Sequence, residues 1–208
     1  RPEEAKEVAA PDYFPTMGST EIPEQWDESY DVVVVGGGFA GLAAAYSAEK
    51  AGSTVVLVEK LSTTGGNSAI NGGQYASYTS KRAAELQAKL GLEPDTAEKH
   101  IEDTIKGGDN MSNPALVREM VYASPVYLDL LLDNGLEIRE TLARPGGHYG
   151  YRTYVTENQV GSDITNLQLK MLKETSANVE LETKMVEIYR TRDEANRVVG
   201  IRVATADG

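Results

Sequence analysis

Apolar residues fall into successive patterns along this chain. Near the front, Asp31–Val35 is a short, continuous β-branched run, followed at once by glycines. An alanine-rich stretch, Phe39–Ala51, then stops at Gly52, and a second β-branched run covers Thr54–Val58. Continuous runs of this length bounded by turn residues predict buried parallel strands, and the segment between them predicts a helix, so the front reads as β-α-β. From about residue 81 to 135 the period becomes helical. Lys81–Leu90 ends at Gly91, Thr96–Lys106 starts after an Asp95 cap and ends at Gly107-Gly108, and Asn113-Pro114 is an N-cap with proline at the first helical position. Ser124-Pro125 repeats that signal ahead of Val126–Leu132, which ends at Asn134-Gly135. Leu116, Val117, Met120, Val121, Leu128, Leu131 and Leu132 form stripes expected to face a core. Beyond them the pattern predicts a helix over Ile164–Lys173, strands over Val179–Thr183 and Val198–Val203, and a turn at Ala206-Asp207-Gly208.

The glycines after the first run change the picture from architecture to chemistry. Gly36-Gly37-Gly38-Phe39-Ala40-Gly41 supplies G-x-G-x-x-G between strand and helix. Gly36 permits the tight turn, Gly38 lets the backbone approach a pyrophosphate, and Gly41 lets the helix pack closely on the strand. Phosphates then meet unpaired N–H groups and the positive end of a helix dipole. The second run ends in Glu59, eighteen residues past Gly41. That is close to the spacing at which an acid accepts both ribose hydroxyls of an adenosine and disfavours a 2′-phosphate. The fold class is therefore read as α/β, a Rossmann-like nucleotide-binding β-α-β domain with inserted helices and a C-terminal β-meander. An NAD domain would continue into further βα units, whereas this chain runs into Ser62–Gly73, STTGGNSAINGG, with two Gly-Gly pairs seven residues apart. Such a backbone suits a long planar cofactor lying flat against it, which points to FAD. The plainer reading of that stretch is a flexible loop.

In combination, Val33–Gly41, Val56–Lys60, Gly65–Ser68, Asn71–Gly73, Lys106–Asn110 and Asn113–Val117 resemble the flavoprotein of the fumarate reductase and succinate dehydrogenase superfamily. The likeness is greatest to its soluble branch of flavocytochrome c fumarate reductases and urocanate reductase, and it runs from about Tyr30 to the end. The resemblance implies FAD contacts at Ala40, Glu59, Asn67, Ser68, Gly72 and Gly73, with Lys60, Gly65 and Gly66 in the same stretches, and an adenine contact from the backbone of Met185 at the end of the strand Val179–Thr183. Membrane-bound members carry a histidine in the second loop that bonds covalently to flavin; none occurs between Leu61 and Gly73, so FAD is expected to be non-covalent. Soluble fumarate reductases carry Arg-x-His-Arg-Pro where this chain reads Arg152-Thr153-Tyr154-Val155-Thr156, which argues against a dicarboxylate substrate.

The resemblance further implies hydride transfer from reduced FAD to an activated C=C bond, with a catalytic arginine beyond residue 208, so no catalytic residue is assigned within this chain. A small-molecule acceptor and an electron donor, such as a cytochrome or another flavin domain, are expected as partners. The family is bacterial, anaerobic and often exported, so the cell envelope is the expected location, with the cytoplasm as the alternative. Its flavoproteins are more than twice this long, and the chain begins with Arg1 rather than Met. It therefore reads as a piece of a longer polypeptide, without the capping domain. Two rival readings are a flavin-dependent dehydrogenase of the 3-ketosteroid dehydrogenase type and a non-catalytic FAD-binding module.

Composition narrows the partners. A net charge of −12 with a pI near 4.7 disfavours nucleic acid and anionic membrane, and no run approaches the apolar length of a bilayer span. Zero cysteines and two histidines exclude disulfides and thiolate metal sites and make a transition-metal centre improbable. Residues 1–29 are acidic and contain Pro2, Pro11, Pro15 and Pro23, which suits an extended arm ahead of a domain over residues 30–208. His100, among Glu98, Lys99, Glu102 and Asp103, is expected on a solvated face. Arg144–Tyr154 is a glycine- and aromatic-rich loop. It serves either as cover for the sheet or as one wall of a substrate pocket in which Arg144, His148, Arg152 or Tyr154 orients an anionic or aromatic acceptor.

Overall fold

The computed structural model describes residues 18–193 and 195–205. Pro2, Pro11 and Pro15 of the expected arm and the turn at Ala206–Gly208 lie outside the described residues. β1 (Val32–Val35), α1 (Phe39–Lys50) and β2 (Val55–Val58) form the predicted unit, with β1 and β2 parallel and in register from Val32↔Val55 to Val35↔Val58. β6 (Asn178–Glu180) adds to the far side of β2, giving the order β1-β2-β6. Leu42 and Ala45 of α1 bury against Val34, Val55 and Leu57, and α6 (Ser162–Lys173) seals the same face through Leu172. Burying a side chain of this size is worth about 1.5–3 kcal/mol. The opposite face of β1 is not covered: Val33 and Val35 are 40% and 49% exposed. The expected buried strand is therefore buried on one face only, and one edge of β1 is unpaired among the described residues.

A second sheet stands beside the first. β3 (Gln74–Ala76), β4 (Ile138–Ala143) and β5 (Thr153–Thr156) pair antiparallel in the order β3-β5-β4. α3 (Ala83–Leu90), α4 (Ala97–Gly107) and α5 (Pro114–Asp133) pack around it. Leu86, Leu128, Leu131, Ile138, Leu142, Tyr154, Ile164 and Met171 make the larger core, while Ala97, Ile101, Val117 and Val121 join α4 to α5.

Pro125 does not start a new helix, because α5 runs through it. Proline cannot donate to the carbonyl four residues earlier. Here the Ser124 hydroxyl donates to that Val121 oxygen instead, at 2.8 Å, so the chain continues without an orphaned acceptor. The stripe assignment also needs correction. Val117, Val121, Leu128 and Leu131 are buried, but Leu116 and Met120 are 67% and 50% exposed.

The C-terminal meander takes the form of a hairpin, β7 (Lys184–Arg190) with β8 (Val198–Ala204). Residues 18–30 have no helix or strand of their own, yet they are held to it. Ser19 N–H donates to Ile188 O at 2.7 Å and its carbonyl accepts from Arg190 N–H at 2.9 Å. Trp26 packs on Gly200, where a Cβ would collide with the indole, and meets Tyr189 edge-to-face at 5.6 Å. No helix among the described residues is long and apolar enough to cross a membrane.

Candidate functional site: a glycine-lined cradle

The turn after β1 forms as its glycines require. Gly36 adopts φ +98°, and its N–H donates to Val58 O at 2.8 Å. At Gly41 any Cβ would collide with the Gly36 carbonyl, so helix and strand approach only without a side chain there. α1 begins at the Gly38 cap, and its first-turn amides have no intrahelical acceptor. One of them, Phe39 N–H, donates to Ser68 Oγ at 3.1 Å.

That bond ties the first loop to the second, and Gly65 N–H adds another by donating to Gly37 O at 2.8 Å. The second loop is then anchored from below. Asn71 Nδ2 donates to Ser68 O and Asn71 Oδ1 accepts from Gly73 N–H, both at 2.8 Å. A Cβ on Gly73 would strike Thr156 and Val160, and one on Gly161 would strike Ser68 O. The plainer alternative of a flexible loop does not hold: the stretch is a bonded extension of the G-x-G-x-x-G turn.

Glu59 lies beneath the junction and is 8% exposed. Its Oε2 accepts from Gly37 N–H at 2.7 Å and its Oε1 from Leu61 N–H at 2.9 Å. A carboxylate oxygen has two acceptor sites, so the acid braces the loop and keeps capacity for ribose hydroxyls. Thr183 N–H donates to Glu59 O at 2.9 Å and Glu182 N–H to Leu61 O at 3.0 Å. Met185 follows this staple at the start of β7, not at the end of a strand over Val179–Thr183 as expected; the first of these strands stops at Glu180.

The upper surface of the cradle is bare. Nothing lies within 4 Å of where a Cβ would sit on Gly36, Gly66 or Gly72, and Ala40, Lys60, Asn67 and Gly72 are exposed. A positive φ requires glycine at Gly36 and Gly66, but Gly72 has no such φ. Its missing side chain serves nothing in the chain itself, as expected where a flat ligand comes close. Gly72→Ala should therefore leave stability unchanged or raise it by about 0.4–1 kcal/mol, while FAD affinity falls about tenfold, a cost of roughly 1.4 kcal/mol. Thermal melts and flavin titration separate the two effects, and unchanged FAD affinity would remove Gly72 from the site. These residues fit FAD: a helix N-terminus with open amides, a buried acid at the end of β2, and a side-chain-free floor.

The proposed acceptor wall is placed differently. Arg152 has a fully buried side chain: its guanidinium pairs with Asp95, Nη2 donating to Oδ1 at 3.2 Å, and Nη1 lies 2.7 Å from Asp103 Oδ2. Tyr154 is 2% exposed within the larger core, and burial raises its hydroxyl pKa. Arg152 and Tyr154 are thus interior supports rather than pocket walls, because two acids claim the cation and the core claims the ring. Asp95 does not cap α4; Thr96 does, its side chain accepting from Lys99 N–H. His148 is half-buried and Arg144 lies over the Tyr151 ring at 5.3 Å.

His100 is buried, not solvated, because it follows Ala97 by three residues on the inward stripe of α4. Burial first, then the Arg152 charge, pushes its pKa down to about 4, with His148 acting in the same direction and Asp95 and Asp103 opposing. The unfolded chain takes up a proton near 6.5 that the folded chain refuses until about 4. This contribution to stability is complete above pH 6.5 and is lost as pH falls through that window. Denaturant melts from pH 8 to 4.5 should show that decline, and His100→Gln should flatten it; an equal slope in the variant would exclude His100 as the cause. No group of three or more His, Asp or Glu able to hold a metal occurs among the described residues.

A family profile described as FAD binding domain matches residues 31–207. The acrylate reductase flavoprotein subunit of Shewanella woodyi is 33% identical over 180 residues, 86% of this chain and 34% of that protein. The urocanate reductase of Eggerthella lenta is 35% identical over 192 residues, 90% of this chain and 30% of that protein. Among solved structures, the open conformation of a flavocytochrome c3 fumarate reductase matches with a TM-score of 0.76 at 32% identity, over 85% of this chain and 30% of that one. The chain spans about a third of the length of the curated relatives it matches.

Proposed function

Because the chain belongs to the FAD binding domain family, as the flavin-binding part of a fumarate-reductase-like flavoprotein, we propose that the protein reduces the C=C bond of an α,β-unsaturated carboxylic acid. The observation that carries this reading is the bonding of two glycine-rich loops into one side-chain-free cradle. It agrees with FAD as the cofactor and with similarity to acrylate and urocanate reductases over most of the chain.

FAD, when bound, supplies the hydride chemistry. The chain supplies position. The Gly36–Gly41 turn and the first turn of α1 hold a pyrophosphate, Glu59 holds ribose hydroxyls, and the Gly65–Gly73 loop presents bare backbone to the ring system. With no histidine in that loop, the flavin is held without a covalent bond. An external carrier, a cytochrome or a second flavin domain, supplies electrons, and the protein works in the cell envelope.

Arg152 bears on the substrate. Both of its carboxylate partners are internal, so Arg152 itself is not free to hold a second substrate carboxylate. Monocarboxylates are therefore favoured over fumarate. The test is a panel of acrylate, urocanate, cinnamate and fumarate with reduced viologen as donor to the FAD-loaded full-length protein. Monocarboxylates should exceed fumarate by about tenfold in kcat/KM, the effect of one unmatched charge. If fumarate is the best substrate, the assignment of substrate class is wrong, and absence of turnover with every enoate would sink the reductase reading.

A further inference from the structure

We infer that the groove between α5 and β3 is the subsite for the aromatic ring of the acceptor, with Phe39, Tyr75, Tyr127 and Met120 as the residues that select it. This deepens the reductase reading and rests on it. The groove has a volume of about 510 Å³, within the range of small-molecule sites. Asn71 and Gln74 lie on its wall and bracket Gly72-Gly73, so a ligand in the groove borders the loop that carries the flavin.

Its lining dictates the chemistry. Phe39 meets Tyr75 at 6.0 Å and Tyr127 at 6.1 Å, both rings tilted away from parallel, a geometry that leaves ring faces and edges for a further aromatic. No Lys, Arg, Asp or Glu lines it, so a carboxylate does not sit inside and a neutral ring does. Polar groups stand at the edge of that apolar surface. Tyr75 hydroxyl is spent on Ser124 O at 3.0 Å. The Tyr127 oxygen accepts from Gln168 Nε2 at 2.7 Å, and Gln168 is buried, so this hydroxyl is spent on the interior too. The Gln74 carboxamide, exposed on the wall, favours a ring bearing a nitrogen or hydroxyl at its rim over plain phenyl.

The outer end of the groove agrees. Leu116, Met120, Ala123 and Tyr127 are spaced as one stripe of α5, and Leu116 and Met120 stay 67% and 50% exposed. An apolar stripe that continues out of a groove bordering a cofactor loop is the expected mouth of a site for a flat apolar group.

The test uses non-reacting saturated analogues, so binding is read without turnover. Propanoate, 3-phenylpropanoate and 3-(4-hydroxyphenyl)propanoate are titrated calorimetrically into the FAD-loaded protein. The aryl acids should bind about tenfold more tightly than propanoate, and Gln74→Leu should remove about fivefold from the hydroxyphenyl analogue alone. Met120→Glu, at the exposed mouth, should weaken both aryl acids about tenfold with FAD content unchanged. Val126→Glu, also exposed on α5 but outside the groove, should change neither. Aryl acids binding no better than propanoate would overturn the inference. So would Met120→Glu and Gln74→Leu both leaving aryl affinity within about twofold, a difference too small for a groove contact. Failure of every enoate to turn over would instead strike the reaction assignment, leaving the binding comparison to decide the groove.

Discussion

Replacing Arg152 with alanine is expected to destabilise the folded chain by about 3–5 kcal/mol, the usual result of removing one partner from a buried ion pair. The side chains of Arg152 and Asp95 are 0% and 2% exposed, and Asp103 is 16% exposed. Without the guanidinium, Asp95 remains in the interior against Gly150, where even a Cβ would have no room. The cluster joins two elements: Asp95 precedes α4, Asp103 lies on it, and Arg152 introduces β5. Asp103 also accepts from Tyr149 N–H at 2.7 Å, so the loop from Arg144 would loosen with it. Pairing Arg152→Leu with Asp95→Leu should recover a large part of the loss, because two apolar residues replace a desolvated pair at little cost. Equilibrium denaturation of the single and double variants measures both, and a loss below about 1 kcal/mol, the level of a surface pair, would show that the cluster is not a structural support.

Glu59→Gln is expected to weaken FAD by about 1.5–3 kcal/mol through loss of a charge-assisted acceptor for ribose hydroxyls. The structure adds a second cost. Both carboxylate oxygens already accept backbone N–H groups, from Gly37 and Leu61. A glutamine must turn its NH₂ toward one of them, setting donor against donor and loosening the turn beneath the pyrophosphate. Glu59→Asp keeps the charge but shortens the reach, so it should lose affinity as well. Flavin release followed by fluorescence gives the affinities, and wild-type affinity in Glu59→Gln would remove the acid from the site.

The sequence was legible where local backbone demands decide residue identity. Gly36, Gly41 and Gly73 are glycines because of φ or close approach, so the cradle and the β-α-β unit could be read directly. Glu59 was readable from its distance to Gly41. Pairings across long stretches of chain were not. Asp95 looked like a cap and Arg152 like a substrate group because nothing local records that they meet 57 residues apart. Ser124-Pro125 carried a genuine local signal for a helix start, and it was overridden when Ser124 was buried and its hydroxyl took over the missing backbone bond. His100 could have been found: its spacing from Ala97 and Ile101 marks the inward stripe of α4, but the charged residues around it masked that signal. The exposure of Met120 and Leu116, like the uncovered face of β1, depends on what lies against them, and a stripe pattern gives no measure of that.

Trp26 is the only tryptophan of the chain, and it sits on Gly200 of the hairpin, held by the N-terminal arm. Its emission therefore reports whether arm and hairpin stay together, and it does not sense loosening of the glycine cradle. Flavin fluorescence senses the cradle. The protein thus carries two separate optical signals, one at each end of its stability problem. In a denaturant series, coincident shifts would mark one cooperative unit, while an earlier tryptophan shift would mark the hairpin as a part that opens on its own.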